Sequence, residues 1–333
     1  MDFLNAIVAL LNFVVIPAAA YGAQLALGAL GVTLIYGILR FSNFAHGDTM
    51  AFGTALVIIV TWGLQALGIS LGPLPTALLA LPIGIALCSA FVLGTDRVVY
   101  RFYRKKKSEP IILVMASVGV MFVMNGVTRL LIGVDEIRFD DGARFLIAVQ
   151  DFKTWTGLNE GLALRVSQVI TFVVTALACW ALFRFLNRSR AGKAMRAYAD
   201  NEDLALLSGI DPERVVRLTW IIATALAVTA GTLYGLDKSF KAFNYFQILL
   251  PIFAAAIVGG LGNPLGAVAG GFIVAFSEVA VTYPWKKVAA YLGFQSDGLL
   301  QLLSTEYKFA VSFVILIIVL LFRPTGLFRG KAY

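Results

Sequence analysis

The chain has little charge for its length. Asp, Glu, Lys and Arg make up 14% of its 333 residues, whereas soluble domains carry about 25%. None of these four residue types occurs between Asp2 and Arg40, between Asp48 and Asp96, or between Lys241 and Glu278. Each gap exceeds the roughly 20 apolar residues that one membrane-spanning helix needs. The scarcity of charge therefore excludes an ordinary water-soluble fold.

Residues that bind metals or carry out redox chemistry are also scarce. The chain has one histidine, His46, and two cysteines, Cys88 and Cys179, which both lie in apolar segments. This setting is typical of buried thiols rather than of a disulfide or a metal site. We therefore expect no cofactor and no metal.

A phosphate-binding loop for ATP is missing. The pair Gly192-Lys193 has neither the upstream glycine nor the following hydroxyl of the G-x-x-x-x-G-K-[ST] pattern. The chain is therefore predicted not to bind ATP through such a loop. We also expect it not to be an enzyme. If transport through it is driven by ATP, another subunit must hydrolyse the ATP.

Apolar segments of membrane-spanning length are abundant. The segment 249–260 is short and is either a half-helix or a re-entrant piece. Residues 3–20 are interrupted by Pro17 and form either an additional span or an interfacial helix leading into the next one. The pattern predicts an all-α polytopic membrane protein with about eight to ten transmembrane helices, including broken or re-entrant ones. The predicted spans are 21–39, 48–68, 74–94, 111–132, 166–186, 218–236, 249–260, 264–283 and 307–322.

Basic residues predict the orientation, because Lys and Arg collect in short cytoplasmic loops. They are concentrated after the span 74–94, after the span 166–186 and in the C-terminal tail, which contains Arg323, Arg329 and Lys331. Alternation of the spans places all three regions on the cytoplasmic side. The loop 133–165 then lies on the opposite side, and in it acidic residues, including Asp140, outnumber basic ones. The net charge of +8 is thus a topology signal and does not indicate a nucleic-acid partner.

The cytoplasmic stretch 187–217 is predicted to contain a short capped helix. Asp200 fits its N-cap, and Glu202 and Asp203 place negative charge in the first turn. Gly209 fits the position that ends such a helix, and Asp211 followed by Pro212 starts the next span. A short rigid helix here either docks a partner and transmits force, or folds back on the lipid headgroups.

A polar stretch, residues 40–48, lies between two strongly apolar spans. Such a stretch can mark a broken helix whose N-terminus binds an anionic group, for example a substrate carboxylate. Alternatively, Asn43 or His46 only caps the helix that follows. Among residues inside spans, Glu278 is a further candidate, because a buried carboxylate in a membrane is costly. It either binds substrate or neutralises a neighbouring base. The candidate pathway residues are Asn43, His46, Gly47, Asp48 and Glu278.

Small residues recur at helical spacing in the second half of the chain. Gly262, Gly266 and Gly270 follow each other at intervals of four. Close backbone approach is how helices adhere in lipid, so we expect these three glycines to form a helix-packing stripe.

An ordered series of motifs resembles the LivH-type permeases of branched-chain amino-acid ABC importers. In the first half these are Ile35-Tyr-Gly-Ile, Asn43-Phe-Ala-His-Gly-Asp48 and Asp96-Arg-Val-Val-Tyr-Arg101. In the second half they are Arg196-Ala-Tyr-Ala-Asp-Asn-Glu-Asp203, Leu207-Ser-Gly-Ile210, Val258-Gly-Gly-Leu-Gly-Asn-Pro264, Ser304-Thr-Glu-Tyr-Lys308 and Arg323-Pro-Thr-Gly-Leu327.

The resemblance implies that residues 1–333 form a single permease domain in a bacterial inner membrane. It also implies a second related permease, two cytoplasmic ATPases, a periplasmic binding protein that lands chiefly on 133–165, and an amino acid as substrate. It assigns 190–212 as the segment that couples to the ATPases. The candidate coupling residues are Arg196, Asp200, Asn201, Glu202, Asp203, Leu206, Gly209 and Asp211.

Two alternatives to this function remain open. Importers of urea and short amides resemble the same pattern. A self-sufficient ion-coupled carrier of amino acids would instead use Glu278 or Asp48.

Overall fold

The structure is a computed structural model that describes residues 2–139, 141–291, 300–304, 307–323 and 325–328. Asp140, Arg329 and Lys331, as well as positions 305, 306 and 324 of the motifs, lie outside the described residues. In chain order the helices are α1 (Asp2–Leu39), α2 (His46–Ala66), α3 (Ala77–Lys105), α4 (Pro110–Ile132), α5 (Val149–Thr156), α6 (Val166–Arg188), α7 (Arg190–Asp200), α8 (Glu202–Leu207), α9 (Pro212–Lys238), α10 (Ala242–Gly259), α11 (Pro264–Thr282), α12 (Lys286–Tyr291) and α13 (Lys308–Phe322).

Eight helices in the described part of the chain are long and apolar enough to cross a membrane, and α13 is a shorter apolar helix. Two short strands, β1 (Phe145–Ile147) and β2 (Leu164–Arg165), pair antiparallel within the long loop after α4. The predicted all-α polytopic fold and its number of spans are confirmed. Both cysteines are free; Cys88 is buried and Cys179 half-buried.

The N-terminal segment is neither a separate span nor a separate interfacial helix. It continues directly into the next span, so α1 is 38 residues long, or about 57 Å at 1.5 Å per residue. Pro17 does not break this helix, because the preceding turn, Leu11–Val15, is wound as a π-helix. A wider turn of this kind accommodates a residue that cannot donate its own hydrogen bond.

Residues 249–260 form neither a half-helix nor a re-entrant piece. α10 begins seven residues earlier, at Ala242, and has the full length of a span. Asn244 and Gln247 lower the hydropathy of its first two turns, so these turns were not included in the predicted apolar segment. Pro251 lies inside α10 without ending it.

Contacts between connections define two ends of the helix bundle. At one end, the chain near Asn5 and the connections after α2, α9 and α11 all contact residues 133–165. The pairs are Asn5 with Glu160, Thr76 with Asp141, Phe240 with Ile137, and Lys287 with Glu160. We call this the outer end.

The opposite, inner end collects the remaining connections and the C-terminal tail. The pairs there are Arg40 with Ala199, Asn43 with Tyr100, Val258 with Leu327, and Asn263 with Phe328. This division agrees with the alternation of spans from which the basic loops were placed on one side.

Helices α1, α9 and α11 form the centre of the bundle. Nearly every residue of α1 from Ala18 to Leu39 is buried. A Cβ atom at Gly271 of α11 would lie 2.6 Å from the backbone nitrogen of Ala26, and one at Gly231 of α9 would lie 2.8 Å from the carbonyl oxygen of Met50. Glycine at these positions therefore lets neighbouring helix backbones approach each other directly.

Candidate functional site

The connection between α6 and α9 at the inner end holds two short helices. We call residues 189–211 the inner connector. Its first helix, α7, is capped by Ser189, whose hydroxyl oxygen accepts a hydrogen bond of 2.8 Å from the Gly192 N–H. Met195, Tyr198 and Ala199 are buried among the inner residues of the bundle. The predicted loop 187–217 is thus shorter than expected, because α6 ends at Arg188 and α9 begins at Pro212.

The second helix of the inner connector, α8, is capped by Asn201. The Asn201 side-chain oxygen accepts from the Leu204 N–H at 3.0 Å. The expectation that Asp200 is this cap is wrong, because Asp200 is the last residue of α7 and its backbone is still helical. Glu202 and Asp203 lie in the first turn of α8 as predicted, where the helix dipole favours negative charge.

Both ends of the segment after α8 follow the predicted capping pattern. Gly209 has φ +80°, and the Ile210 N–H returns to the Ala205 carbonyl at 3.0 Å, which is the bond pattern of a glycine-terminated helix. Asp211 then caps α9 by accepting from the Glu213 N–H at 3.0 Å, with Pro212 in the first turn. The inner connector is therefore held at fixed backbone geometry between α6 and α9.

Side-chain bonds tie the two short helices together. The Tyr198 hydroxyl donates to Glu202 Oε1 at 2.7 Å. Burial raises the pKa of the Tyr198 phenol above its ordinary value, and the bond to Glu202 raises it further. The phenol therefore remains a donor at neutral pH. Arg196 donates a longer bond of 3.4 Å to Asn187 at the end of α6.

The outward surface of α8 is apolar. Leu204 and Leu207 are 61% and 85% exposed, and Leu206 is also exposed, whereas Ala205 faces the protein. Leu204 and Leu207 are three residues apart and so share one face of the helix. A leucine surface next to two exposed carboxylates is typical of a contact with another molecule.

The interruption between α1 and α2 leads from the inner end into the bundle. His46, the first residue of α2, packs against Gly31 of α1. A Cβ atom at Gly31 would lie 2.5 Å from His46 Cε1 and 3.2 Å from the carbonyl oxygen of Ala223, which is eleven residues into α9. At 1.5 Å per residue this is about 16 Å from the inner end of α9. The first turn of α2 therefore lies within the bundle, and the polar stretch 40–45 connects it to the end of α1.

The side chains of this break are engaged in local bonds. Asn43 Oδ1 accepts from the Ala45 N–H at 3.2 Å and from the Tyr100 hydroxyl at 3.3 Å. The His46 ring Nε2 lies 3.1 Å from the Gly28 carbonyl oxygen and is buried. Asn43 thus closes a turn ahead of α2, whose N-cap residue Ala45 has no side-chain capping bond, and His46 occupies a buried packing position.

Gly47 and Asp48 continue into α2. A Cβ atom at Gly47 would lie 2.9 Å from the Tyr245 carbonyl oxygen, so α2 and α10 are in close contact there. Asp48 is fully buried, and its Oδ1 accepts from Asn125 Nδ2 at 2.8 Å. Its Oδ2 has no hydrogen-bond partner among the described residues.

Glu278 lies far from Asp48, one turn before the outer end of α11. It is buried, and its Oε1 accepts from the Ser312 hydroxyl of α13. Asn43, His46, Gly47 and Asp48 thus lie together at the start of α2, whereas Glu278 lies toward the outer end of the bundle.

The glycine stripe has two of its three expected members. A Cβ atom at Gly266 would lie 2.1 Å from the Gly259 carbonyl oxygen, and one at Gly270 would lie 2.0 Å from that of Ala255. These two glycines therefore lie directly on α10. Gly262 does not belong to the stripe, because it precedes α11 in the turn 260–263 and has φ +85°.

Sequence reasoning missed two sets of side-chain bonds near the inner end, one made by Arg40 and one by Asp96. Arg40, directly after α1, donates to the Ala199 carbonyl of α7. Buried Asp96 accepts from the Trp220 indole at 2.7 Å and from Arg104 at 3.1 Å. The charge of Asp96 within a mostly apolar helix was the available signal for this second interaction.

The chain is similar to permeases for branched-chain amino acids. The sequence model of the family described as "Branched-chain amino acid transport system / permease component" matches residues 15–320. The high-affinity branched-chain amino acid transport system permease protein LivH of Escherichia coli K12 is 34% identical over 313 residues, which cover 92% of this chain and 91% of that protein.

More distant relatives have corresponding names. The permease protein BraD of a high-affinity branched-chain amino acid transport system in Pseudomonas aeruginosa is 31% identical over 310 residues, covering 92% of each protein. A probable branched-chain amino acid transport permease of Methanocaldococcus jannaschii is 30% identical over 311 residues, covering 93% of this chain and 90% of that protein. No solved structure matches the chain significantly.

Proposed function

This chain belongs to the family of branched-chain amino acid transport system permease components, and we propose that it forms the membrane path of a bacterial inner-membrane ABC importer for branched-chain amino acids. In this assembly, one permease domain spans residues 1–333 and pairs with a second permease. A periplasmic binding protein delivers the amino acid to the loop 133–165. The chain itself carries out no bond chemistry.

The exposed leucine face of α8 supports a role for partner ATPases. A leucine side chain buried in an interface gains about 1.5–3 kcal/mol relative to one left in water. Leu204 and Leu207 offer this gain to a partner at the inner end, where the basic residues predict the cytoplasm. Hydrolysis of ATP in those partners moves the inner connector, and its fixed caps pass the displacement to α6 and α9.

The placement of the buried carboxylates argues against a self-sufficient ion-coupled carrier. A proton-coupled carrier typically uses a relay of ionisable groups through the membrane. Asp48 lies at the break near the inner half of the bundle, whereas Glu278 lies one turn from its outer end.

Co-purification tests the docking surface directly. We expect Leu207→Arg to reduce the amount of ATPase subunits that purify with the tagged permease. A matched control is Leu146→Arg, which alters an exposed leucine of β1 at the outer end and should leave the ATPase yield unchanged. If α8 instead lies on lipid headgroups, Leu207→Arg will leave the yield of ATPase at the wild-type level, and that result rejects the proposed docking surface.

A further inference from the structure

A cavity of about 420 Å³ opens at the outer end of the bundle, between the C-terminal end of α9 and the loop 133–165. Among the described residues, the charged lining comprises four cations and two carboxylates. The apolar part of the wall includes Phe139 and Leu236. The charged residues are Arg138, Asp141, Arg144, Arg165, Asp237 and Lys238.

Asp237 is the buried charge of this cavity. Its side chain is only 5% exposed, with Oδ1 3.7 Å from an Arg165 nitrogen and Oδ2 3.5 Å from Lys238 Nζ. Both distances exceed the 2.7–2.9 Å of a well-formed charged hydrogen bond. Oδ1 has no hydrogen-bond partner in the described part of the chain. Because a buried acceptor without a donor is costly, this oxygen is suited to receive a donor from a ligand.

The cations around Asp237 remain accessible. The side chains of Arg165 and Lys238 are 41% and 47% exposed. The second carboxylate, Asp141, accepts from the Thr76 N–H at 2.6 Å through Oδ2, while its buried Oδ1 has no partner among the described residues. Unpartnered acceptors and partly free cations thus face the same space.

We propose that this cavity binds the zwitterionic head group of an aliphatic amino acid before the amino acid enters the helix bundle. The ammonium group donates to Asp237, and the carboxylate lies against Arg165 and the neighbouring cations. The aliphatic side chain contacts Phe139 and Leu236. This inference rests on the proposed function for the class of substrate, and it adds a site at which the permease itself recognises the head group.

Two aromatic rings pack against Gly235, a lining residue of the cavity on α9. A Cβ atom at Gly235 would lie 3.0 Å from the Tyr245 hydroxyl oxygen and 3.1 Å from Phe139 Cε2. Tyr245 is buried, and its hydroxyl donates to the Gly231 carbonyl at 2.9 Å. Both rings therefore pack against Gly235, and Tyr245 lies behind the lining residue Phe139 on the side of the bundle.

Protection of a cysteine in the cavity wall tests the proposal. The variant Ala143→Cys, in the complete permease–ATPase complex in nanodiscs without binding protein, is labelled with a membrane-impermeant methanethiosulfonate. We expect L-leucine to slow labelling. Leucinamide lacks the carboxylate and 4-methylpentanoate lacks the ammonium. For the same protection, each should require a concentration at least about tenfold higher than that of leucine, as expected for the loss of a charged partner.

Charge variants connect the protection to Asp237. In the Ala143→Cys background, Asp237→Asn and Arg165→Gln should each raise the leucine concentration for half-protection about tenfold or more, and Asp237→Glu should largely restore it. Asp151→Asn, which alters an exposed acid of the same loop outside the cavity, should have no effect. If Asp237→Asn fails to assemble, Arg165→Gln and the leucine analogues give the answer.

Three results would overturn the proposal. The first is that leucine gives no protection, and the second is that the two analogues protect as well as leucine does. The third is that only added ligand-free binding protein protects, in which case the cavity is a docking site for that protein. ATP-driven leucine uptake by the unmodified complex is measured in parallel. Loss of uptake counts against the proposed function, whereas normal uptake without protection counts against the cavity alone.

Discussion

The Arg40 guanidinium donates a hydrogen bond to the main-chain carbonyl of Ala199, 159 residues away in the chain. Arg40 follows the last residue of α1, and Ala199 lies in the last turn of α7. Three residues after Arg40, Asn43 accepts from Tyr100 at the break before α2. A direct bond therefore joins the inner connector to the first residue of the break.

Removal of this bond should reduce coupling. We expect Arg40→Gln to lower ATP-driven uptake about tenfold, because hydrogen bonds to charged groups contribute about 1.5–3 kcal/mol. The ATPase subunits should still co-purify, since Arg40 lies away from the exposed face of α8. Arg40→Lys, which keeps the charge, is the matched control and should retain more uptake. Wild-type uptake by Arg40→Gln would show that this bond is not needed for coupling.

Gly209 should be needed for its backbone conformation alone. Its φ is +80°, and a Cβ atom there would meet nothing within 4 Å. The left-handed conformation costs an ordinary residue roughly 1–2 kcal/mol, whereas asparagine tolerates it better. We therefore expect Gly209→Val to reduce both uptake and ATPase co-purification, and Gly209→Asn to preserve them. Equal behaviour of the two variants would show that the end of α8 does not depend on this conformation.

Gly270 should be needed for packing. A Cβ atom at this position would lie 2.0 Å from the Ala255 carbonyl oxygen, so Gly270→Ala forces α10 and α11 apart. Overpacking of this kind typically costs about 1–3 kcal/mol, which thermal unfolding of the purified permease would detect as a lower Tm. Gly126→Ala is the control, because its Cβ meets nothing within 4 Å. An unchanged Tm for Gly270→Ala would contradict the close contact.

The outer end should contain an acid-sensitive link. Burial acts to raise the pKa of Glu160, but bonds from Lys287 Nζ at 2.8 Å and the Tyr291 hydroxyl at 2.7 Å outweigh it and hold the pKa below its ordinary value. The stability gained is therefore fully present above the unfolded pKa of about 4.3 and is lost as pH falls through the lower folded value.

The pH dependence can be measured against Glu160→Gln. The variant should have a lower Tm than the wild type at pH 7, and the difference should shrink as the pH falls below about 4. Asp151→Asn, an exposed acid of the same loop, serves as the control. A difference that stays constant with pH would show that the Glu160 carboxylate does not carry the link.

The spans and the capped connector could largely be predicted from the sequence, because they depend on local properties. Charge-free gaps of sufficient length set the number of helices, and Gly209, Asp211 and Pro212 mark helix ends by their own conformational preferences. Local reasoning failed where neighbours compete. Asp200 and Asn201 are both suited to capping, and only the end of α7 at Asp200 decides between them.

Long-range relationships could not be predicted from the sequence. Nothing near Arg40 indicates Ala199, and nothing near Asp237 indicates Arg165, 72 residues earlier in the chain. Pro17 appeared to end a helix because the sequence does not show that the preceding turn widens into a π-helix. The sequence also did not show that Asp48 and Glu278 lie toward opposite ends of the bundle. An apolar setting marks a carboxylate as unusual but does not show where in the bundle it lies.

Uptake of labelled leucine into proteoliposomes tests the central claim, that this chain supplies a path whose opening is driven by ATP hydrolysis in partner subunits. The chain is reconstituted alone and as the complete complex with loaded binding protein, with ion gradients collapsed by ionophores. We predict ATP-dependent uptake only for the complete complex and no counterflow for the chain alone. Counterflow by the chain alone, without ATPases, would contradict the account and identify a self-sufficient carrier.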